Sequence, residues 1–182
     1  KEFFATARVR DKVKTVSFFG GSQGAVCIND FALKVAPRLN EMGIKIIHQT
    51  GKTDYERVEF AYRKLNIQAD VFDFSRKIPQ KMAKSDFAVS RAGASTLWEL
   101  CANHLPTFFI PYKHAAADHQ YYNAKVLFDK GLCFLKREEE LTEDYFFEAI
   151  NSDIHKISIE LISSINPNAI SLIVNIILED SK

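Results

Sequence analysis

The stretch that decides the fold is Thr15-Val16-Ser17-Phe18-Phe19, followed at once by Gly20-Gly21-Ser22-Gln23-Gly24-Ala25. Four of the first five residues are branched or aromatic, which predicts a buried strand, and the glycines predict a tight turn that opens a helix. The first amides of such a helix, and the positive end of its dipole, favour an anion. Ser22 could cap the helix or donate to a phosphate oxygen. By itself the stretch is equally compatible with a turn that binds nothing.

The same alternation of strand and helix continues along the chain. Strands are predicted at 15–19, 44–50, 69–74, 87–90, 107–110 and 133–135, and helices at 25–35, 54–65, 79–84, 96–103 and 119–130. This order predicts an α/β fold with a parallel sheet of about six strands and helices on both faces. Ligands of such sheets bind at the carboxyl ends of the strands.

After residue 135 the pattern changes to helices alone, predicted at 142–150, 154–165 and 167–178. The last of these is apolar on most faces, so this domain or a partner must cover it. We therefore expect one domain over residues 1–182 that ends in a helical tail, residues 142–182.

Composition excludes several classes of protein. The 182 residues suit one domain, and 24 basic against 23 acidic residues leave a net charge of +1, so no nucleic acid partner is expected. Three scattered cysteines without a Cys-x-x-Cys pair indicate thiols of a reducing compartment. No signal peptide and no apolar run of about 20 residues is present. The start at Lys1, without a methionine, is expected of a piece cut from a longer polypeptide or of a cleaved tag.

A second loop that is suited to bind an anion runs from Ser90 to Glu99, again between a predicted strand and a helix. Its residues Gly93, Ala94 and Ser95 are small, which leaves the backbone open to a bulky anion, and Ser95 or Thr96 could cap the helix. Glu99 lies about one turn further, where a carboxylate can accept two hydrogen bonds from a ribose diol. Two such loops at neighbouring strand ends favour a diphosphate ligand.

A third loop, residues 111–123, follows the next predicted strand. Its polar side chains could read the hydroxyls of a sugar, and they are His114, Asp118, His119, Gln120 and Asn123. A metal site built from His114, Asp118 and His119 is conceivable. Exposed histidines beside an aspartate that caps a helix more often bind no metal. We therefore predict no metal and no cofactor.

Other readings remain open. Gly20-Gly21-Ser22-Gln23-Gly24 satisfies the Gly-x-Ser-x-Gly pattern of serine hydrolases literally, which keeps a hydrolase as an alternative. The segment His48–Lys52 could donate to phosphate or sugar, although histidines in strands are commonly buried. The backbone around Ser75 could pair with a base edge.

Four motifs in one order carry a resemblance to a known family. They are Gly-Gly-Ser-Gln-Gly-Ala, His-Gln-Thr-Gly-Lys, Ser-Arg-Ala-Gly-Ala-Ser-Thr-x-x-Glu and Pro-Tyr-x-His-Ala-Ala-x-Asp-His-Gln-x-x-Asn-Ala, between Gly20 and Ala124. Together they resemble the C-terminal domain of the MurG family, peptidoglycan glycosyltransferases that add GlcNAc from UDP-GlcNAc to lipid I to form lipid II. The likeness extends over nearly the whole chain.

The resemblance implies a Rossmann-like doubly wound domain, the C-terminal, donor-binding half of a GT-B enzyme. Ser22 would contact the diphosphate, the backbone at Ser75 the uracil, Glu99 the ribose and Gln120 the GlcNAc. The residues it assigns to the donor are Ser22, Ser75, Ala94, Ser95, Thr96, Leu97, Trp98, Glu99 and Gln120, with Gly21, Gln23, Gly24, Arg91, Gly93, His119 and Asn123 as less supported neighbours.

The resemblance also implies what this chain lacks. The acceptor domain for lipid I, its glycine-rich motif and the catalytic base belong to an N-terminal half, so no catalytic residue is expected here and the fragment alone should be inactive. The full-length enzyme would transfer GlcNAc with inversion, as a peripheral membrane protein at the cytoplasmic face of the bacterial inner membrane. Two alternatives stay open: a separate donor-binding subunit of a lipid-linked GlcNAc transferase, and one half of a UDP-GlcNAc epimerase.

Overall fold

The structure, a computed structural model, describes residues 2–21 and 23–165 and contains one six-stranded sheet. The strands are β1 (Thr15–Phe19), β2 (Lys45–Gln49), β3 (Ala69–Phe72), β4 (Phe87–Ser90), β5 (Thr107–Phe109) and β6 (Phe134–Leu135). They lie in the order β3-β2-β1-β4-β5-β6, and all five pairings are parallel. The predicted fold class and strand number are therefore confirmed.

Within the described residues, eight α-helices accompany the sheet. They are α1 (Glu2–Ala5), α2 (Val26–Glu41), α3 (Tyr55–Lys64), α4 (Ile78–Lys84), α5 (Ala94–Ala102), α6 (His119–Phe128), α7 (Glu143–Ile150) and α8 (Ile154–Ser164). Short 3-10 turns occupy Ala116–Asp118 and Glu138–Glu140. None of these helices is long and apolar enough to span a bilayer.

The sheet is covered on both faces because its strands point alternate side chains to opposite sides. On β4, Phe87 and Val89 pack into a cluster with residues of α2, α3 and α7, whereas Ala88 packs into a cluster with residues of α4, α5, α6 and α8. Phe146 of α7 lies at the centre of the first cluster, with its ring 6.2 Å from that of Phe18 and 6.4 Å from that of Phe108. The predicted helices at 142–150 and 154–165 are thus part of the core.

Several boundaries differ from the predictions, and those of α2 and α5 bear most on the core and the site. Helix α2 continues through Pro37 to Glu41, six residues beyond the predicted end at 35, because Ala36 and Leu39 are fully buried on its inner face. Helix α5 begins at Ala94, two residues before the predicted start. The short helix α1 was not predicted. The predicted apolar helix at 167–178 lies outside the described residues.

The strand order reverses between β1 and β4, which are neighbours in the sheet although two strands separate them in the chain. The connections leave β1 and β4 in opposite directions at this point, which opens a crevice at their carboxyl ends. The loops after Phe19 and Ser90 meet there, as the sequence predicts.

Candidate functional site

A cavity of about 210 Å³ occupies the crevice between β1 and β4. It brings together both glycine-containing loops and two helix starts, and its lining consists of Phe19, Gly20, Gly21, Gln49, Phe74, Ile78, Met82, Ser90, Arg91, Thr96 and Glu99. A larger hollow of about 950 Å³ lies at the opposite edge of the sheet, near Asn40 and Lys84, where α2 and α4 end. The carboxyl end of a helix presents carbonyl oxygens, which repel anions. The smaller cavity is therefore the candidate anion site.

The first loop, whose Gly20 and Gly21 line the cavity, leads into the start of α2. Ala25, the N-cap residue, has an extended backbone and supplies no side-chain hydrogen bond, and the first turn carries no acidic residue. The first helical bond runs from the amide of Asn29 to the carbonyl of Ala25 at 2.9 Å. The amides of residues 26–28 precede this bond and have no acceptor within the helix. Ser22 lies outside the described residues, so its contact with a diphosphate stays a prediction.

Among the remaining residues of this loop, some are exposed and others pack against the rest of the domain. Gly21 lines the cavity with φ +76°, and Gln23 is exposed. Gly24, with φ +83°, lies against Gly51, with φ +77°. A Cβ atom on Gly51 would come within 2.2 Å of the Gly24 nitrogen. Gly24 therefore has a structural requirement that is independent of any ligand: the loops after β1 and β2 touch backbone to backbone.

Behind this loop lies a buried chain of hydrogen bonds that includes His48. Its Nε2 is 2.9 Å from Asn29 Oδ1, an acceptor, so Nε2 carries the proton and Nδ1 accepts from the Tyr62 hydroxyl at 3.0 Å. Asn29 in turn donates to Asp54 and to the Thr50 carbonyl. Burial lowers the pKa of His48 to about 3. The side chain is fully buried and neutral, so it supports the loop and does not reach a phosphate or a sugar.

The second loop delivers the start of α5. Its N-cap is Gly93, without a side-chain cap, and the first helical bond joins the Leu97 amide to the Gly93 carbonyl at 2.9 Å. The expectation that Ser95 or Thr96 caps this helix is wrong, because the helix begins at Ala94 and both residues lie inside its first turn. The amides of residues 94–96 consequently lack helical acceptors, as those of α2 do.

Farther along α5, the assigned residues face different ways. Thr96 and Glu99 line the cavity, and partial burial raises the pKa of the Glu99 carboxyl. Leu97 is fully buried in the core and its amide is bonded to Gly93, so neither group is available for the predicted donor contact. Ser95 is exposed, and the Trp98 side chain is 52% exposed outside the cavity lining.

Arg91 is held by its own domain. Its Nη1 donates to the carbonyls of Ile110 and Pro111 at 3.0 and 3.1 Å and lies 2.6 Å from Glu138 Oε1. The N–H groups point at the two carbonyls, so Glu138 is paired by charge without a hydrogen bond to this oxygen. The guanidinium joins the loops after β4 and β5, and it also lines the cavity.

The third loop holds its polar residues in defined positions. Gln120 Oε1 accepts from the Tyr112 amide at 3.1 Å, which leaves both Nε2 hydrogens for another partner, since Nε2 bonds none of the described residues. Asn123 donates to the Ala92 carbonyl at 3.2 Å and so anchors the second loop. His119 Nδ1 lies 2.8 Å from the Ala116 carbonyl.

The aspartate of the conceivable metal site has another partner. Asp118, with φ +54°, forms an ion pair with Arg137 at 2.5 Å. Within residues 2–21 and 23–165, no group of three or more His, Cys, Asp or Glu side chains could hold a metal ion.

Near the end of β3, Ser75 accepts a hydrogen bond from the Lys77 amide at 3.0 Å, in the turn that leads into α4. Its neighbour Phe74 lines the cavity and is 52% exposed. Phe74, Ile78 and Met82 also line the cavity, and none of the three is among the predicted site residues. An aromatic residue at the carboxyl end of a predicted strand was the signal that could have identified Phe74.

Comparisons with known proteins agree with this geometry. The family model described as the glycosyltransferase family 28 C-terminal domain matches residues 15–166. The UDP-N-acetylglucosamine--N-acetylmuramyl-(pentapeptide) pyrophosphoryl-undecaprenol N-acetylglucosamine transferase of Campylobacter jejuni serotype O:2 is 49% identical over 181 residues, which cover 99% of this chain and 53% of the relative. The transferase of the same name from Sulfurimonas denitrificans is 59% identical over 138 residues, 76% of this chain and 41% of the relative.

A solved structure shares the fold. The crystal structure of Acinetobacter baumannii MurG superposes with a TM-score of 0.79 at 25% identity, covering 98% of this chain and 53% of that one. The chain thus spans about half the length of the proteins it matches. The prediction of a C-terminal GT-B half is confirmed by these matches. The chain belongs to glycosyltransferase family 28, as a C-terminal domain similar to that of MurG.

Proposed function

We propose that this domain binds UDP-GlcNAc as the donor half of an inverting glycosyltransferase that converts lipid I to lipid II in peptidoglycan synthesis. The observation that carries the proposal is the pair of uncapped helix starts, α2 and α5, at one crevice between β1 and β4. The printed name of the Campylobacter relative supports the choice of sugar and acceptor.

The site supports a defined placement of the donor. The first-turn amides of α2 and α5, together with Ser22, would hold the diphosphate. Glu99 would accept hydrogen bonds from the ribose, and uracil would lie near Phe74 and the backbone of Ser75. Gln120 Nε2, which bonds no described residue, would donate to the GlcNAc.

The contribution of this half to the reaction is electrostatic. Charge grows on the diphosphate as UDP leaves, and amides fixed at two helix starts stabilise that charge without having to reorganise. The base that deprotonates the acceptor hydroxyl, and the surface that binds lipid I, would lie in an N-terminal domain. The 182-residue chain would therefore bind donor without turnover, and the two-domain protein would work as a peripheral protein at the cytoplasmic face of the bacterial inner membrane.

Calorimetric titration of this chain with UDP-GlcNAc, UDP-GalNAc and UDP-glucose tests donor binding. We expect the tightest binding for UDP-GlcNAc, and binding of none of the three would contradict the proposal.

A second experiment tests the reaction. The two-domain protein should transfer labelled GlcNAc from UDP-GlcNAc to lipid I. Epimerisation of UDP-GlcNAc without any acceptor would instead establish the epimerase alternative. Transfer that requires a separate membrane-bound protein would establish the subunit alternative.

A further inference from the structure

The stretch Arg8-Val9-Arg10 precedes β1 in a charged segment, yet Arg10 is fully buried. Its guanidinium donates five hydrogen bonds. Nε donates to the Ser85 carbonyl, and Nη1 donates to the carbonyls of Arg8 and Asn103. Nη2 donates to the Met82 carbonyl and to Asn103 Oδ1. All these acceptors are uncharged oxygens. A buried cation without a direct carboxylate partner costs stability, so its retention calls for another explanation.

Four of the five acceptors lie at the carboxyl ends of two helices. Met82 is in the last turn of α4 and Ser85 is its C-cap, while Asn103 is the C-cap of α5. A cation at these ends stabilises both helix dipoles at once. Because the guanidinium is a rigid planar fork, it also fixes the distance and the angle between the two ends.

Neighbouring residues of the same segment repeat this connection. Arg8 donates to the Ala83 carbonyl at 2.8 Å and to the Ser85 carbonyl at 2.9 Å. Thr6 Oγ1 accepts from Asn103 Nδ2 at 3.0 Å and lies 3.3 Å from the Pro79 carbonyl of α4, although the Glu2 carbonyl is a nearer acceptor at 3.1 Å. Residues 2–10 therefore link α4 to α5 at several points.

The amino ends of the same two helices form one wall of the candidate site. Ile78, the first residue of α4, and Thr96, in the first turn of α5, both line the cavity, as does Met82, whose carbonyl Arg10 holds. Short helices move as rigid rods, so the angle fixed at their carboxyl ends sets the spacing at their amino ends.

We infer that Arg10 is a positioning residue for the nucleotide: its fork locks the carboxyl ends of α4 and α5 and thereby sets the width of the cleft at their amino ends. The inference rests on the proposed function. It assigns a role in donor affinity to a side chain that does not itself line the donor crevice.

The test compares three forms of the chain in titrations with UDP. Arg10→Lys keeps the charge and loses the fork, whereas Ile150→Ala removes a buried side chain of α7 on the opposite face of the sheet and serves as the stability control. We expect Arg10→Lys to weaken UDP binding roughly tenfold, the scale of a small misplacement of binding groups. Ile150→Ala should lower the melting temperature and leave the dissociation constant within about twofold, since distant sites act independently.

Amide chemical shifts in the absence of nucleotide separate this inference from the proposed function. The amides of residues 78, 80 and 94–96 should shift in Arg10→Lys and stay in place in Ile150→Ala. Unchanged shifts there, or equal UDP affinity for Arg10→Lys and wild type, would overturn the inference. Shifts without any UDP binding by the wild type would support the coupling and contradict the proposed function alone.

If Arg10→Lys does not fold, Thr6→Val replaces it in the UDP titration and in the chemical-shift comparison. It removes the hydroxyl that accepts from Asn103 at the end of α5 and lies beside the Pro79 carbonyl of α4, with little change in volume. An intermediate loss of affinity supports the inference, and affinity equal to wild type overturns it.

Discussion

Helices α2 and α5 begin differently from helices α7 and α8. At α7 the Thr142 hydroxyl accepts from the Tyr145 amide at 3.3 Å, and at α8 Asp153 accepts from the Lys156 amide at 3.0 Å. The N-cap residues of α2 and α5, Ala25 and Gly93, supply no such bond. The N-cap residues of α3, α4 and α6 supply no such bond either, so a missing cap distinguishes α2 and α5 only together with their place after β1 and β4, at the crevice.

Charge follows the same division. The first turn of α7 carries Glu143 and Asp144, which suit a helix start that binds no anion, whereas the first turns of α2 and α5 carry no acidic residue. Helices α4 and α6 share both absences, so this comparison teaches that an uncapped start without acidic residues indicates an anion site only where it also follows a strand at the crevice. Four changes should break or sharpen the contrast.

The largest expected effect comes from the backbone contact that supports the α2 start. Gly51→Ala places a Cβ atom 2.2 Å from the Gly24 nitrogen, at a residue with φ +77°. We expect a loss of about 3 kcal/mol or more in the free energy of unfolding, measured by urea denaturation. Gly131→Ala is the matched control, because its φ is +70° with nothing within 4 Å of the added atom. It should cost about 1 kcal/mol, and equal losses for the two variants would show that the close approach is unimportant.

Glu99→Ala tests whether the α5 start belongs to a nucleotide site. Loss of charged hydrogen bonds to the ribose should weaken UDP-GlcNAc binding by about 1–3 kcal/mol in calorimetry. Glu160→Ala, on α8, removes an acidic residue away from the crevice and should leave the affinity unchanged. Equal affinities for Glu99→Ala and wild type would remove Glu99 from the site.

The buried chain behind the α2 start predicts a pH dependence. His48 has a pKa of about 3 in the folded state and an ordinary value of 6.5, so below pH 6.5 the unfolded state takes up a proton that the folded state refuses. Stability should therefore be complete above pH 6.5 and fall by up to about 1.4 kcal/mol per pH unit as the pH decreases towards 3.

Urea denaturation from pH 7 to 4.5 measures this slope above the range where Asp54 titrates, because the hydrogen bond from Arg57 lowers the pKa of that carboxyl. His48→Asn should be less stable and should lose the histidine contribution to the slope. An unchanged slope would show that His48 is protonated in the folded protein.

The smallest expected effect tests the caps themselves. Thr142→Ala removes the hydroxyl that caps α7 and should cost about 1 kcal/mol in the free energy of unfolding. Ser95→Ala, in the first turn of α5, should cost no more than about 0.5 kcal/mol, because its exposed side chain caps nothing. A cost for Ser95→Ala that matches that of Thr142→Ala would erase the contrast between the two kinds of helix start.

Much of this architecture could be predicted from the sequence because strand runs and glycine turns are local signals. The order of six strands, the two loops and the cavity position of Glu99 all follow from patterns of a few residues. The burial of Leu97 did not, since the face of α5 that meets the core is set by residues distant in the chain. The continuation of α2 through Pro37 depends on buried contacts of Leu39 that are distant in the chain.

The role of Arg10 was also beyond sequence reasoning. A charged stretch before a strand normally indicates an exposed segment, and the acceptors of this guanidinium lie 72 to 93 residues away for all but the Arg8 carbonyl. Phe74 enters the site only because the loop after β3 turns towards the crevice. Both depend on tertiary arrangement, which no local pattern encodes.

The central claim is that the amides at the starts of α2 and α5 are kept for a nucleotide diphosphate. Titration of the ¹⁵N-labelled chain with UDP tests it most directly, through the amide chemical shifts of each helix start. We predict that the largest shifts occur at residues 20–21, 26–28 and 94–96, while residues 143–145 and 154–156 do not move. Saturable binding with shifts at the starts of α7 and α8, and none at those of α2 and α5, would contradict the account.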